Sequence, residues 1–232
     1  AVFNLRVLAV ASSLVLVSGS GQSVAVGGTA AEPLVARVND SLGNPVAGEA
    51  VTFSGPGAVT LVPTQGAPGN TVTINTGSDG RVSVSVRVGS AASLGPLTVT
   101  AASSVGSVAF TLTVTGRAPV FTSGSVVNAA SFRFGMVPGG LASLFGAGLS
   151  EISGLQEPGG ATTHRGVSVT VAGRLAPLFA IRNEGGQEQI NFQVPTDVSP
   201  GTARVEVNNN GSVTAVDGVP VLRAQPGIFE YT

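Results

Sequence analysis

The sequence contains no cysteine, no lysine and no tryptophan, and it has one histidine and one tyrosine. Without cysteine there is no disulfide, no thioester and no thiolate metal site. Without lysine there is no side-chain amine for an intramolecular isopeptide bond, and all eleven cations are arginine. Whatever stability the protein has, it has without side-chain cross-links. Charge is scarce as well, at 10% of residues against about 25% in ordinary soluble domains. The scattered arginines and a formal net charge of -1 make no basic stripe, and the aromatic residues are nearly all Phe, so nucleic acid is not an expected partner. A surface left to Ser, Thr, Asn, Ala and Gly repels copies of itself only weakly, which favours self-association.

Helical signals are missing too, since no ten-residue segment carries an apolar stripe of helical period. What is present is 33 Gly and 14 Pro between segments rich in Val and Thr. β-branched residues suit pleated strands, and Gly and Pro supply the turns, so the composition is all-β. A chain of 232 residues accommodates two sandwich domains of about 100 residues each. The clearest strand is Gln189-Ile190-Asn191-Phe192-Gln193-Val194-Pro195, in which Ile190, Phe192 and Val194 share one face and the amides the other. Segments 166–173 and 202–208 repeat the period through Val167, Val169, Val171 and Ala203, Val205, Val207. The expectation is that these three strands lie in one sheet over a common apolar face.

The opening run, Ala1 to Ala11, is apolar but carries Asn4 and Arg6 and is broken by Ser12-Ser13. It lacks a basic leader and falls short of the roughly 18 apolar residues of a membrane span, so neither a signal peptide nor a span is expected. With no initiator Met, the chain is expected to start after processing. From Leu14 onward, short strand candidates follow at Leu14–Ser18, Ser23–Val26, Pro33–Asn39, Ala50–Ser54, Thr71–Asn75, Arg81–Val88, Leu97–Ala101 and Val108–Thr115. Turn clusters separate them, including Asp40-Ser41-Leu42-Gly43-Asn44-Pro45 and Ser78-Asp79-Gly80. The ordered set Gly43-Asn44-Pro45-Val46-Ala47-Gly48, Val51-Thr52-Phe53, Ser78-Asp79-Gly80-Arg81-Val82 and Gly95-Pro96-Leu97-Thr98-Val99-Thr100-Ala101 resembles the bacterial Ig-like group 1 domain of intimin and invasin stalks. The resemblance covers residues 13–116. It departs from the family at Gly55 to Asn70, which reads as a long Gly/Pro-rich loop.

Gly116-Arg117-Ala118-Pro119 reads as a linker, extended before its proline. Beyond it come Val126-Val127-Asn128-Ala129-Ala130-Ser131-Phe132, Met136 to Leu149, Gly166-Val167-Ser168-Val169, Ala176-Pro177-Leu178-Phe179, Gln189 to Pro195, Pro200-Gly201-Thr202 and Pro226-Gly227-Ile228-Phe229. These are similar to an uncharacterised C-terminal domain family first described in Solibacter proteins, over residues 119–230. That resemblance implies an extracellular bacterial setting and supplies no active site. The strand order of this part also resembles the Ig-like IPT/TIG sandwich. The expected architecture is thus all-β: an N-terminal extension strand (1–12), a bacterial Ig-like domain (13–116) and a second Ig-like β-sandwich domain (117–232).

Candidates for chemistry are few. His164 sits in a polar loop with no nucleophile-elbow pattern to serve. Gly146-Ala147-Gly148 lacks the helix that a dinucleotide loop requires and reads as a turn. Asp40, Asp79 and Asp197 stand beside turn residues, where capping of the local backbone is the default role, and no calcium-loop spacing is present. Asn209-Asn210-Gly211 reads as a hairpin turn before it reads as a glycosylation sequon with Ser212. There is no Trp to form a sugar platform, and Tyr231 is alone. No cofactor, no metal and no enzymatic activity are expected.

The extension is the functional signal. At about 3.3 Å per residue, residues 1–11 reach roughly 35 Å, and Phe3, Leu5, Val7 and Ala9 share one face. Inserted into a neighbouring subunit, they would act as a donor strand and build a homopolymer. The competing reading is that they pair within their own chain or end an upstream domain. The leading expectation is an extracellular or cell-surface structural protein, a subunit of a filament or stalk. The alternative is a monomeric adhesin or ligand-binding module that uses sandwich loops such as 55–70 or 152–165.

Overall fold

The computed structural model describes residues 9–228. The chain divides into two compact units, Ala1–Val114 and Thr115–Thr232. The described residues hold no α-helix, only one 3-10 turn, Ser123–Ser125, and no helix is long and apolar enough to cross a membrane.

The first unit contains β1 (Ser13–Ser18), β2 (Gln22–Ala25), β3 (Leu34–Asn39), β4 (Ala50–Ser54), β5 (Val59–Pro63), β6 (Thr71–Asn75), β7 (Arg81–Val88), β8 (Gly95–Ser103) and most of β9 (Gly106–Thr115). They form two antiparallel sheets, ordered β1-β3-β7-β5 and β2-β9-β8-β4-β6. The period-two sequence decides which face is covered. In β7, Val82, Val84, Val86 and Val88 are buried while Arg81 and Arg87 are exposed, and in β3 Leu34, Ala36 and Val38 are wholly buried. Across the core lie Phe53, Val99 and Phe110 from the other sheet, with the two rings 6.1 Å apart and tilted at 32°. Tilted aromatic pairs at that separation match the preferred quadrupole geometry.

The turn at Ser78-Asp79-Gly80 shows why its residues are there. Asp79 Oδ1 accepts from the Arg81 N–H at 3.1 Å. Gly80 has φ 71°, and a Cβ at that position would come within 2.6 Å of the Val38 carbonyl oxygen. Only glycine fits such a place. Segment 55–70 departs from the sequence expectation of one long loop. It contains β5, in which Val59 and Leu61 are buried and pair alongside β7. The flanking Gly and Pro residues hide a five-residue strand of regular alternation.

The second unit contains β10 (Val126–Asn128), β11 (Leu141–Gly146), β12 (Gly154–Gln156), β13 (Val167–Val171), β14 (Arg174–Leu175), β15 (Leu178–Glu184), β16 (Gln187–Gln193), β17 (Gly201–Asn209) and β18 (Ser212–Val221). Its sheets are β10-β11-β16-β15-β12 and β14-β13-β17-β18. This corrects the expectation that β13, β16 and β17 are sheet neighbours. β13 does pair with β17, but β16 lies in the opposite sheet, between β11 and β15. Its Ile190 and Phe192 belong to the same buried cluster as Val169, Val205 and Val207. Matching periodicity shows that strands share a core, and it does not say from which side. The hairpin between β17 and β18 turns at Asn210 and Gly211, with φ 49° and 89°, the two positive values of a type I′ turn.

Phe110 is fully buried against Phe53. The change Phe110→Ala is expected to cost the first unit about 3–5 kcal/mol. Calorimetry should resolve this as a lowered melting transition for one unit, with the other unmoved.

Candidate functional site

The residues expected to mediate assembly fall at the edge of the described structure. Phe3, Leu5 and Val7 lie outside the described residues, as does most of the expected extension strand. Ala9 is exposed, and residues 9–12 belong to no strand. The Ser12 N–H donates to the Asn39 carbonyl at 2.8 Å, and from there the chain enters β1.

β1 is an edge strand paired only with β3 among the described residues. Its sequence, Ser-Leu-Val-Leu-Val-Ser, carries no charge and no proline, and edges of that kind are open templates for another strand. Leu14 is buried, but Leu16, on the same side of the strand, stays 38% exposed where a bulge precedes Ser18. Val15 and Val17 are exposed to the same degree. Several other edges are guarded, though β6, also uncharged, is an edge strand as well. Gly69 exchanges both main-chain hydrogen bonds with Leu61 of β5, Met136 covers the end of β18, and β12 and β14 are three and two residues long.

A second feature is polar and partly buried, and it lies wholly in the second unit. On β16 the core-facing side runs Glu188, Ile190, Phe192, and Glu188 is 8% exposed. On β17 the same side ends in Asn209, which is fully buried. The two meet at Arg117. Its Nη2 reaches Glu188 Oε1 at 3.1 Å and donates to the Ser150 carbonyl at 2.8 Å. Its Nε lies 3.2 Å from both oxygens of Glu151, and its main-chain N–H donates to Glu151 Oε1 at 2.7 Å. The Leu149 N–H donates to the other Glu188 oxygen at 2.6 Å. Asn209 Nδ2 reaches the carbonyls of Gly148 at 2.9 Å and Arg117 at 3.1 Å, and Glu151 Oε1 at 3.1 Å.

This arrangement straps the start of the second unit down. Gly116 is part of it, because a Cβ there would come within 2.5 Å of the Asn209 carbonyl oxygen. Burial works against the charged form of Arg117, yet the charges of Glu188 and Glu151, with their hydrogen bonds, outweigh it and raise the guanidinium pKa above its ordinary value. The cluster therefore holds a permanent cation between two carboxylates. Its named donors and acceptors are engaged with one another, which suits a clamp. Sequence reasoning read residues 116–119 as a linker and did not find this. The available signal was Glu188, a carboxylate on the apolar side of an alternating strand.

The remaining candidates have local roles. Asp40 Oδ1 accepts from the N–H groups of Leu42 and Asn44 at 2.9 and 2.8 Å. The Asn44 side-chain amide, then its main-chain N–H, hold the Asp40 carboxyl below its ordinary value of 3.8. The Arg174 guanidinium does the same for Asp197 through a direct hydrogen bond. His164 exchanges both main-chain hydrogen bonds with Val167 in a tight turn, and its Nε2 is buried with no hydrogen-bond partner among the described residues. Gly146 ends β11, and Ala147 bridges Val120. Among the described residues no group of three or more His, Asp or Glu could hold a metal ion.

No family model matches the chain, and no curated protein matches it. The two family resemblances therefore rest on their motifs. Solved structures similar to the chain include domains 5–6 of the S-layer protein SbsC, at 15% identity over 92% of this chain and 99% of that one, TM-score 0.34. Domains 4 and 5 of SbsC are 21% identical over 45% of this chain and 52% of that one, TM-score 0.34. Invasin, a bacterial integrin-binding protein, is 16% identical over 89% of this chain and 39% of its own, TM-score 0.38. The Yersinia pseudotuberculosis adhesin InvE is 13% identical over 88% and 58%, TM-score 0.37. The chain thus spans about half, or less, of several of these proteins. Each unit is a β-sandwich of two antiparallel sheets. At these TM-scores the likenesses assign neither a family nor a role.

Two outcomes follow from the site. Arg117→Ala leaves Glu188 buried with only amide partners, and it should cost the second unit about 2–3 kcal/mol, less than for a fully buried pair because Arg117 is partly solvated. Chemical unfolding of the variant checks this, with Arg117→Lys recovering part of the loss. For Asp40 and Asp197 the sign is that of depressed carboxyl groups. Their stabilisation is present above 3.8, the ordinary value, and is lost as pH falls through the lower folded value. Melting temperature should therefore fall faster with acid in the parent than in an Asp40→Asn variant.

Proposed function

We propose that this chain is a non-catalytic structural module of the bacterial exterior, a subunit of a surface stalk or filament that joins its neighbours through non-covalent strand pairing. The observation that carries the reading is the edge of β1, uncharged, unpaired on its outer side among the described residues and lined by the partly exposed Val15, Leu16 and Val17. Pairing there satisfies main-chain donors and acceptors along the strand and covers apolar surface at the same time. The donor is residues 1–11 of another copy, whose Phe3, Leu5, Val7 and Ala9 alternate in the manner such a contact needs. The scarcity of charge lowers the repulsion between copies. The motif resemblance to stalk domains and the lack of cysteine agree with an exterior setting that makes no use of disulfides.

Deletion of residues 1–11 is the direct test. Negative-stain microscopy and light scattering should find fibres or oligomers of the full chain, and monomers of the deleted one. Assembly that survives the deletion would refute the donor-strand role. Replacing Val15 and Val17 by Arg at the receiving edge should abolish assembly equally, with both sandwiches still folded.

A further inference from the structure

The outward face of the β10-β11-β16-β15-β12 sheet is organised differently from a solvated sheet surface. Cross-strand partners set Phe145, Gln189, Arg182 and Leu155 in one row, and Val127, Ser143, Asn191 and Ala180 in the next. At about 4.8 Å between strands, the first row runs roughly 14 Å. A cleft of ≈ 490 Å³ opens along it, floored by Ala180, Gln189 and Asn191 and flanked by Leu155, Glu157 and the Arg182–Glu184 pair.

The amides in this cleft are fixed. Asn191 Oδ1 accepts from Ser143 Oγ at 2.8 Å and from Gln189 Nε2 at 2.5 Å. Gln189 Nε2 also lies 3.4 Å from Ser143 Oγ, and Ser143 is buried. That network sets the orientation of both amides and leaves Asn191 Nδ2, a donor, and Gln189 Oε1, an acceptor, with no partner among the described residues. At the Gln189 end of the row stands an aromatic pair, Phe145 and Phe132, with ring centroids 6.3 Å apart. Phe132 has φ 54° and is 63% exposed. A bulky residue in the left-handed region is a true outlier, and such strain concentrates where a side chain is held out for a purpose. Here the Asn128 carbonyl holds it by accepting from the Phe132 N–H at 2.9 Å.

We propose that this face binds a neutral oligosaccharide, with sugar hydroxyls meeting the free valences of Asn191 and Gln189 and the Arg182–Glu184 pair, and a ring face resting on Phe145 and Phe132. The cleft lies over β15 and β16, interior strands whose main-chain groups are already paired. An extended peptide could add no strand there, which removes the main source of affinity in that mode. Planar groups with fixed donors and acceptors beside apolar surface are what a polyhydroxylated ring recognises. The site stands on other strands than β1 and does not depend on assembly.

The test is a two-dimensional amide NMR titration of the full chain with cellohexaose, xylohexaose, mannohexaose and chitohexaose, and separately with an uncharged Ser/Thr/Val pentapeptide. At least one sugar should bind with a dissociation constant of about 10⁻⁵ to 10⁻³ M, shifting β15, β16 and the Asn191 side-chain amide. The double change Gln189→Ala with Asn191→Ala should weaken it at least about tenfold. Ala180→Trp, an outward-facing change that fills the cleft, should do the same while the rest of the spectrum is retained. The proposal is overturned by silence from all four sugars, by shifts centred elsewhere, by binding indifferent to both variants, or by binding of the pentapeptide at this face in their place.

Discussion

The longer strands among the described residues are held by the same constraint: alternate side chains must leave water together, because no covalent link ties the sheets. With no cysteine or lysine there is no covalent brace, and with so little charge there is no surface network to add one. Valine does most of the covering. Val82, Val84, Val86 and Val88 from β7 and Val167, Val169 and Val171 from β13 are all buried, and β-branched residues both prefer the extended backbone and lose little side-chain freedom on burial. Small side chains make thin layers, so the few large ones, Phe53, Phe110 and Phe192, fill the space that valine leaves.

The Arg117 cluster is the exception that this constraint tolerates. A carboxylate at Glu188 and an amide at Asn209 occupy positions whose strand parity belongs to the core. They are admitted at the ends of their strands, where Arg117, the Leu149 N–H and nearby carbonyls satisfy them. A pair of this kind adds less net stability than hydrophobic packing would. What it supplies is position, since the first residues of the second unit have one place in which all those hydrogen bonds form at once.

Much of the strand pattern was legible because it is written locally. β4, β6 and β7 fall at the residues that period-two alternation marks, and the Asp79-Gly80 and Asn210-Gly211 turns follow from which residues accept positive φ. β5 was not, because Val59 to Pro63 is short and set among Gly and Pro. The placement of β16 opposite β13 and β17 was beyond reach for a different reason: alternation reports that a face is buried and carries no record of which sheet buries it. The site was less legible still. Glu188 stands out in the sequence only once its neighbours are known to face inward, and its partner Arg117 lies 71 positions away. The donor face of Phe3, Leu5 and Val7 was read from the same alternation, but it lies outside the described residues.

The two proposed surfaces differ in what they could read. An edge such as β1, unpaired on its outer side among the described residues, would offer main-chain groups that every strand can match, leaving discrimination to Val15, Leu16 and Val17. The outward face over β15 and β16 has its main-chain groups consumed by the sheet, so only fixed side chains can recognise a ligand, and recognition becomes chemical. Ser143 shows the difference. It is 1% exposed on the outward side of β11, where solvation alone would put an exposed residue, and its hydroxyl is spent on holding Asn191 in place. A surface whose only task was to stay wet would have no use for a buried serine that orients an amide.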